Sequence, residues 1–141
     1  MCFKGKSIYL KVSTNLPSNQ TNTNIFLYRK EKNMSKEFVK ERVLKYLMED
    51  LLVPQDMIDT NVPLSEFEEG AEGVLDIIVN VVVKEHGEDY YVPVLIVTCV
   101  DEDFVMEGEA LQKEIDFLED VDNITTAGRM ILINGNEMMY A

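Results

Sequence analysis

Apolar residues are densest in two runs near the middle of the chain, at residues 74–83 and 92–100. Both runs are apolar at successive positions and rich in β-branched residues, a pattern typical of strands. The polar segment at residues 85–89, which contains Gly87, joins the runs and predicts a hairpin turn. Because polar positions do not alternate with apolar ones, we expect other elements to cover both faces of this hairpin.

Apolar residues recur at helical spacing on either side of the two strands. Residues 35–52 form the first helical segment, with Ser35 as a candidate N-cap and Pro54 beyond its end. Residues 107–120 form the second segment, which has one apolar face. That face consists of Ala110, Leu111, Ile115 and Leu118. One helix on each side would cover both faces of the hairpin.

The remaining segments predict short elements around this core. Pro54 is placed to open a short helical turn, residues 62–64 suggest a brief edge strand, and residues 66–73 form an acidic loop. Residues 129–134 predict a buried strand that a tight turn connects to a last strand at 137–140. The predicted order defines an α/β (α+β) domain whose mixed sheet has an antiparallel central hairpin flanked by helices.

Residues 1–33 differ from the rest of the chain in composition. Residues 13–24 are almost wholly Ser, Thr, Asn, Gln and Pro, with short β-like runs at 7–12 and 25–28. We therefore expect a weakly ordered, Asn/Thr-rich N-terminal extension with a loose hairpin at most, followed by a single domain at residues 34–141.

Charge is distributed as unevenly as composition. Residues 1–33 carry six Lys or Arg and one acid, whereas residues 34–141 carry seven Lys or Arg against 25 acids, a net charge of −18. Nucleic-acid binding depends on cations that neutralise phosphates, so we expect it to be weak or absent. Four cations of the main domain fall on the first predicted helix, where they could form a local patch. They are Lys36, Lys40, Arg42 and Lys45.

Hydropathy and cysteine content bear on location. The longest apolar run is interrupted by Asp76 and Asn80, so the sequence predicts no membrane-spanning segment. No apolar segment with a cleavage site follows the N-terminal lysines. The two cysteines, Cys2 and Cys99, are too few for a disulfide framework, which favours a reduced, cytoplasmic protein.

The order of several short fragments from residue 35 onward resembles one family, the N-terminal nuclease domain of the type I restriction enzyme R subunit. The fragments are residues 37–47, Val53-Pro54, residues 75–79, residues 93–97, a helix containing Gln112, and residues 131–135. The resemblance implies a restriction-endonuclease-like core. In that family an Asp opens one strand of the hairpin and Glu-x-Lys closes the next.

Of the three residues in this family pattern, the present chain retains only the aspartate. Asp76 stands at the metal-ligand position, while Thr98 and Val100 stand where the Glu and the Lys belong. In the family the two acids and a strand carbonyl hold Mg²⁺, and the Lys stabilises the attacking water or the developing charge. Loss of each preorganised electrostatic group costs about 3–4 kcal/mol of transition-state stabilisation. The resemblance therefore implies a nuclease fold without activity, and any metal site would be weak and centred on Asp76.

Other residues are candidates for replacing the lost groups or for separate sites. Glu37 and Glu41 on the first helix are acids that could approach Asp76, and Gln112 is part of an imperfect Gln-x-x-x-Tyr motif, since Asp116 follows four residues later. His86 in a turn and Cys99 in an apolar strand have simpler interpretations as a solvated residue and an inert buried thiol. The acidic loop at 66–72 is better interpreted as a solvated loop than as a metal or partner site.

Three functions remain open from the sequence. The first is a stand-alone, catalytically inactive nuclease-fold domain that acts as an interaction or accessory module with an unknown protein partner and no cofactor. The second is a Mg²⁺-dependent DNA endonuclease with displaced acids. The third is an acidic regulator that mimics nucleic acid, which rests on the charge of −18 alone. The sequence predicts no oligomeric state.

Overall fold

The computed structural model describes residues 10–13 and 35–140, which form one mixed sheet with a helix on each face. The strands are β1 (Leu10–Ser13), β2 (Ile58–Pro63), β3 (Val74–Glu85), β4 (Glu88–Cys99), β5 (Arg129–Ile133) and β6 (Glu137–Tyr140). The helices are α1 (Lys36–Lys45) and α2 (Gly108–Thr125), with 3₁₀ turns at Gln55–Met57 and Leu64–Glu66. The sheet order is β1-β6-β5-β4-β3-β2.

The antiparallel β3–β4 hairpin, which the sequence predicts, is the longest pairing in the sheet. Its register runs from Ile77 opposite Val97 to Glu85 opposite Glu88, with a bulge after Val79. β4 pairs in parallel with β5, a direction that the crossover helix α2 allows. The remaining pairs are antiparallel. The general α/β architecture predicted from the sequence is therefore confirmed.

Helix α1 begins where the sequence predicts, but its α-helical part ends at Lys45, before the predicted end at residue 52. The Ser35 side chain accepts a hydrogen bond from the Phe38 N–H, so Ser35 is the N-cap. A π-helical turn at Tyr46–Asp50 continues the helix, and Leu52 then takes a left-handed conformation (φ 56°) before Pro54. The residue before a proline avoids helical geometry, which accounts for the break at this point.

Two apolar clusters occupy the two faces of the sheet. Helix α1 contributes Val39 and Val43, and the π-helical turn after it contributes Leu47, to the cluster that contains Ile77 and Val97. Helix α2 contributes a second set of residues to the opposite cluster. These are Leu111, Ile115, Leu118 and Val121, which pack with Ile78, Ile96, Val100, Met130 and Leu132. The helices thus lie on opposite faces, as their amphipathic patterns predict.

The prediction that both faces of the whole hairpin are covered is wrong for its outer half. Residues 75–80 and 96–100 are buried, whereas Val81–Val83 and Tyr90–Val92 are between 39% and 58% exposed. β2 pairs with β3 as far as Val79, and β5 pairs with β4 from Leu95. Beyond those points the hairpin continues as a two-stranded ribbon, defined here as residues 80–94.

Several boundaries differ from the predicted ones. β3 extends to Glu85 and β4 begins at Glu88, so the hairpin turn is shorter than the predicted residues 85–89. Helix α2 runs to Thr125, five residues beyond the predicted end, because Val121 and Thr125 continue its buried face. β2 begins at Ile58, earlier than the predicted edge strand. In the N-terminal extension, β1 overlaps the predicted run at 7–12 and pairs with β6, whereas the run at 25–28 lies outside the described residues.

Candidate functional site

A cavity of about 420 Å³ opens where β3 begins and β4 ends. Helix α2 and the first residue of α1 complete its wall. The lining residues are Lys36, Val74, Asp76, Thr98, Cys99, Val100, Asp101, Phe104, Lys113, Glu114 and Phe117. The three residues that the resemblance singles out, Asp76, Thr98 and Val100, therefore line one cavity, which is called the Asp76 pocket below.

Asp76 is the buried charge of this pocket, with 3% of its surface exposed. One carboxylate oxygen lies 2.9 Å from the Lys36 ammonium. The other accepts a hydrogen bond of 2.9 Å from the backbone N–H of Cys99. A buried carboxylate needs such compensation because desolvation of an unpaired charge is costly. Both oxygens of Asp76 are thus engaged within the chain.

The start of α1 places Lys36 against Asp76. The Lys36 backbone N–H donates to the Asp101 carboxylate at 2.7 Å, which ties the first turn of the helix to the segment after β4. Burial lowers the pKa of Lys36, but the hydrogen bond and the negative charge of Asp76 outweigh it, so the net pKa is raised. Lys36 therefore carries its positive charge in the pocket at neutral pH.

Thr98 lies across from Asp76 in the hairpin. One step beyond Ile77 opposite Val97, the same register brings Asp76 opposite Thr98. The Thr98 hydroxyl is buried and has no hydrogen-bond partner among the described residues. Val100 adds an apolar side chain in the same wall. This strand thus offers a methyl surface and a neutral oxygen, without a partner among the described residues, at the positions where the resemblance implies a cation and a carboxylate.

Helix α2 supplies a second carboxylate that the sequence did not single out. Burial raises the pKa of Glu114; the Lys36 charge opposes that rise and the Asp76 charge adds to it. These electrostatic couplings show that the two acids and Lys36 share one environment. Burial and then the Asp76 charge raise the pKa of the Cys99 thiol to about 12, so this thiol stays protonated at neutral pH.

The other predicted candidates lie elsewhere. Glu37 and Glu41 are exposed and do not line the pocket, and Gln112 is exposed and donates to Asp116 at 2.9 Å. Lys36 and Glu114 were missed because neither belongs to the hairpin motif. A signal for Glu114 was its position immediately before the buried face residue Ile115 of an amphipathic helix.

The cations of α1 do not form the predicted local patch. Lys36 pairs with Asp76, and the buried Lys40 ammonium donates to the side chain of Asn61. Arg42 pairs with the fully buried carboxylate of Glu102 at 2.8 Å and lies over the Phe38 ring. Lys36, Lys40 and Arg42 are therefore bound within the fold, which reduces the charge available for phosphates.

The donor set of the Asp76 pocket does not fit the Mg²⁺ ion that the resemblance implies. Mg²⁺ requires near-octahedral coordination by hard oxygen ligands, usually including carboxylates. Here Asp76 is engaged by Lys36 and Cys99, and the opposite strand offers Thr98. Residues 10–13 and 35–140 contain no group of three or more His, Cys, Asp or Glu side chains arranged for a metal.

Other predicted features have separate locations. His86 lies at the exposed hairpin tip, 3.8 Å from Glu85. The acidic loop borders a second cavity of about 390 Å³, and Glu68, Glu72 and Asp120 are among the residues that line it. Among the described helices, none has both the length and the apolar character needed to cross a membrane.

Comparison of the chain with protein-family models, curated proteins and solved structures found no match.

Proposed function

We propose that this chain is a catalytically inactive nuclease-fold domain, related to the N-terminal domain of the type I restriction R subunit, that acts as an interaction or accessory module. The order of elements around the β3–β4 hairpin supports the kinship. The position of Asp76, Thr98 and Val100 in one pocket supports the assignment of the relic motif. A cytoplasmic location belongs to the same proposal.

The proposal that the domain has no nuclease activity rests on one observation. The Lys36 ammonium lies against the Asp76 carboxylate, where a metal ion would have to bind. A metal ion would have to displace an ion pair of 2.9 Å on one oxygen of Asp76, and Thr98 on the neighbouring strand supplies no second carboxylate beside it. Phosphoryl chemistry relies on positive charge placed against developing negative charge. With Val100 in the place of the lysine, the strand supplies no such charge.

The test is a plasmid-cleavage assay with Mg²⁺ and with Mn²⁺. We expect wild-type protein to give the same background rate as Asp76→Asn, because Asp76 makes no catalytic contribution. Cleavage by the wild-type protein that disappears in Asp76→Asn would contradict the proposal. Lys113→Met, which changes an exposed cation of the same pocket, controls for general electrostatic effects.

The position of Glu114 supports a second candidate function, that of a Mg²⁺-dependent endonuclease whose acidic residues have moved to other positions. Its carboxylate shares the pocket with Asp76, so two acids from different elements face one cavity. The same cleavage assay separates the candidates, since this one requires activity that is lost in both Asp76→Asn and Glu114→Gln.

DNA binding provides an independent check of the proposal. The charge of −18 over residues 34–141 and the internal pairing of Lys36, Lys40 and Arg42 leave few cations for phosphates. We expect duplex affinity at physiological salt no tighter than about 10⁻⁴ M, the weak end of non-specific binding. A micromolar, salt-sensitive complex in a fluorescence titration would contradict this expectation.

A further inference from the structure

A cavity of about 340 Å³ lies at the foot of the ribbon, within the size range of ligand sites in proteins. It is lined by residues of β2, β3 and β4 and by the end of the 3₁₀ turn at Leu64–Glu66, and it is called the Tyr91 groove below. Leu64, at the start of that turn, is 2% exposed and packs in the apolar cluster under α2. The turn is thereby anchored to the sheet, so the wall of the groove is a fixed part of the fold.

The Tyr91 groove lies on the sheet face that α2 covers further down. Ile78 belongs to the α2 cluster and also lines the groove, and strand alternation places Asn80 and Val82 on the same face of β3. The register puts Pro93 opposite Asn80 and Tyr91 opposite Val82, and directly opposed side chains share one face. The groove therefore continues into the exposed apolar surface of the ribbon, where Val82 is 39% exposed.

The charge of the groove has one sign. Asp59 and Glu66 line it, and among the described residues no Lys or Arg does so. The Asn80 side chain, which is buried, donates from Nδ2 to one Asp59 carboxylate oxygen at 2.9 Å. This bond orients the carboxylate, and an ionised carboxylate accepts several hydrogen bonds, so Asp59 retains capacity for a further donor. The groove thus presents a positioned negative charge.

Two exposed aromatic rings lie beside these acids. Phe67 is 38% exposed and Tyr91 is 58% exposed, and both line the groove. Aromatic faces attract organic cations through the ring quadrupole, and carboxylates attract the same charge. A guanidinium group suits both features, because it is planar, stacks on aromatic rings and donates in pairs to a carboxylate. The lining of the groove therefore favours arginine over other cationic side chains.

We propose that the Tyr91 groove binds an arginine side chain of a basic segment in a partner protein. The inference rests on the interaction role proposed above and names the chemistry of the partner. Apolar residues flank the arginine in that segment, because Val82 continues the apolar face beyond the groove. The net charge of −18 over residues 34–141 attracts a basic partner over longer distances. A contact with one short segment is small, so we expect reversible, salt-sensitive binding.

Fluorescence anisotropy with a labelled peptide tests the ligand chemistry. The probe is fluorescein-labelled Gly-Leu-Arg-Leu-Gly, with matched peptides that carry lysine or citrulline in place of arginine. Citrulline has nearly the shape of arginine but no charge. We expect the arginine peptide to bind saturably and the lysine peptide to bind about 2–5-fold more weakly, because the ammonium stacks less well on the rings. The citrulline peptide should show no binding at the same protein concentrations.

Substitutions in the groove and matched changes outside it locate the contact. Tyr91→Ala should weaken binding of the arginine peptide about 2–5-fold, whereas Tyr90→Ala, the same change on the other face of the ribbon, should have no effect. Asp59→Asn should weaken binding about fivefold, whereas Asp89→Asn, the same change in charge near the hairpin tip, should have little effect. All four side chains are exposed, so we expect the variants to fold.

Three results would overturn the inference. The first is equal affinity for the arginine and citrulline peptides, or no binding of either. The second is an equal loss of affinity in Asp59→Asn and Asp89→Asn, which would indicate general attraction to an acidic protein. The third is displacement of the arginine peptide by an equal concentration of spermidine, which would indicate a site for any polycation. None of these results affects the cleavage test of the Asp76 pocket, so failure of this inference is distinguishable from failure of the proposed function.

Discussion

The base and the outer half of the β3–β4 hairpin both carry runs of aliphatic residues but have different environments. Residues 75–79 and 95–99 lie between α1 and α2, whereas the ribbon, which contains five valines, extends beyond both helices. α1 with its π-helical turn spans 15 residues, and Val53, which follows that turn, packs against the cluster that contains Val79. Apolar composition therefore makes a segment capable of burial, and the length of the covering helices decides which half is buried.

The largest expected contrast comes from the same substitution in the two halves. Val97→Ala removes two methyl groups from a side chain that is 2% exposed, so we expect it to lower the free energy of unfolding by about 2–3 kcal/mol. Val82→Ala removes the same groups from the ribbon and should change the free energy of unfolding by less than about 0.5 kcal/mol. Urea unfolding at low protein concentration measures both. Equal losses would contradict the difference in burial.

The second largest effect on stability is expected from the ion pair between Lys36 and Asp76, at the buried base of the hairpin. Lys36→Met leaves the Asp76 carboxylate without its cation, and we expect a loss of about 1–3 kcal/mol, reduced from the fully buried case because Lys36 is half exposed. Lys113→Met, in the same pocket, should have little effect. In an Asp76→Asn background the cost of Lys36→Met should largely disappear. An undiminished cost in that background would show that Lys36 stabilises the fold through its side-chain packing.

The pH dependence of stability depends on Cys99 at the base. Its pKa is about 12 in the folded state against 9.0 for an unperturbed thiol. Above pH 9 the unfolded chain loses this proton while the folded chain keeps it, so stability falls as the pH rises towards 12, by at most about 1.4 kcal/mol per pH unit. Urea unfolding measures the stability of the wild type and of Cys99→Val between pH 9 and pH 12. We expect the stability of the variant to fall less steeply with pH than that of the wild type. Parallel pH profiles would contradict the burial of the thiol.

The smallest effect concerns the Thr98 hydroxyl, which is buried and has no partner among the described residues. Thr98→Val replaces it with a methyl group of similar size, and we expect stability to increase by about 1 kcal/mol because an unsatisfied polar group is removed. Thr98→Ser keeps the hydroxyl and should show no gain. A loss of stability in Thr98→Val relative to Thr98→Ser would indicate that the hydroxyl has a partner in solution.

The sequence predicted the elements of the fold better than it predicted the candidate site. Strand runs and the Ser35 cap are local signals, so the hairpin and the start of α1 could be placed from them, whereas the change to a π-helical turn after Lys45 has no such signal. Burial of the ribbon could not be judged, since it depends on how far the helices reach. The resemblance led to Asp76, Thr98 and Val100, which line one pocket. Lys36 and Glu114 come from other elements, and tertiary packing alone brings them to Asp76.

The most direct test of the central claim is calorimetric titration of Mg²⁺ and Mn²⁺ into the wild-type protein and into the double variant Thr98→Glu, Val100→Lys. We expect negligible binding to wild type, because Lys36 occupies Asp76 and the opposite strand supplies no carboxylate. The double variant should bind measurably, since it restores the second acid and a balancing cation. A folded double variant with no gain in affinity, or tight binding by the wild type, would contradict the account of the Asp76 pocket as a relic site.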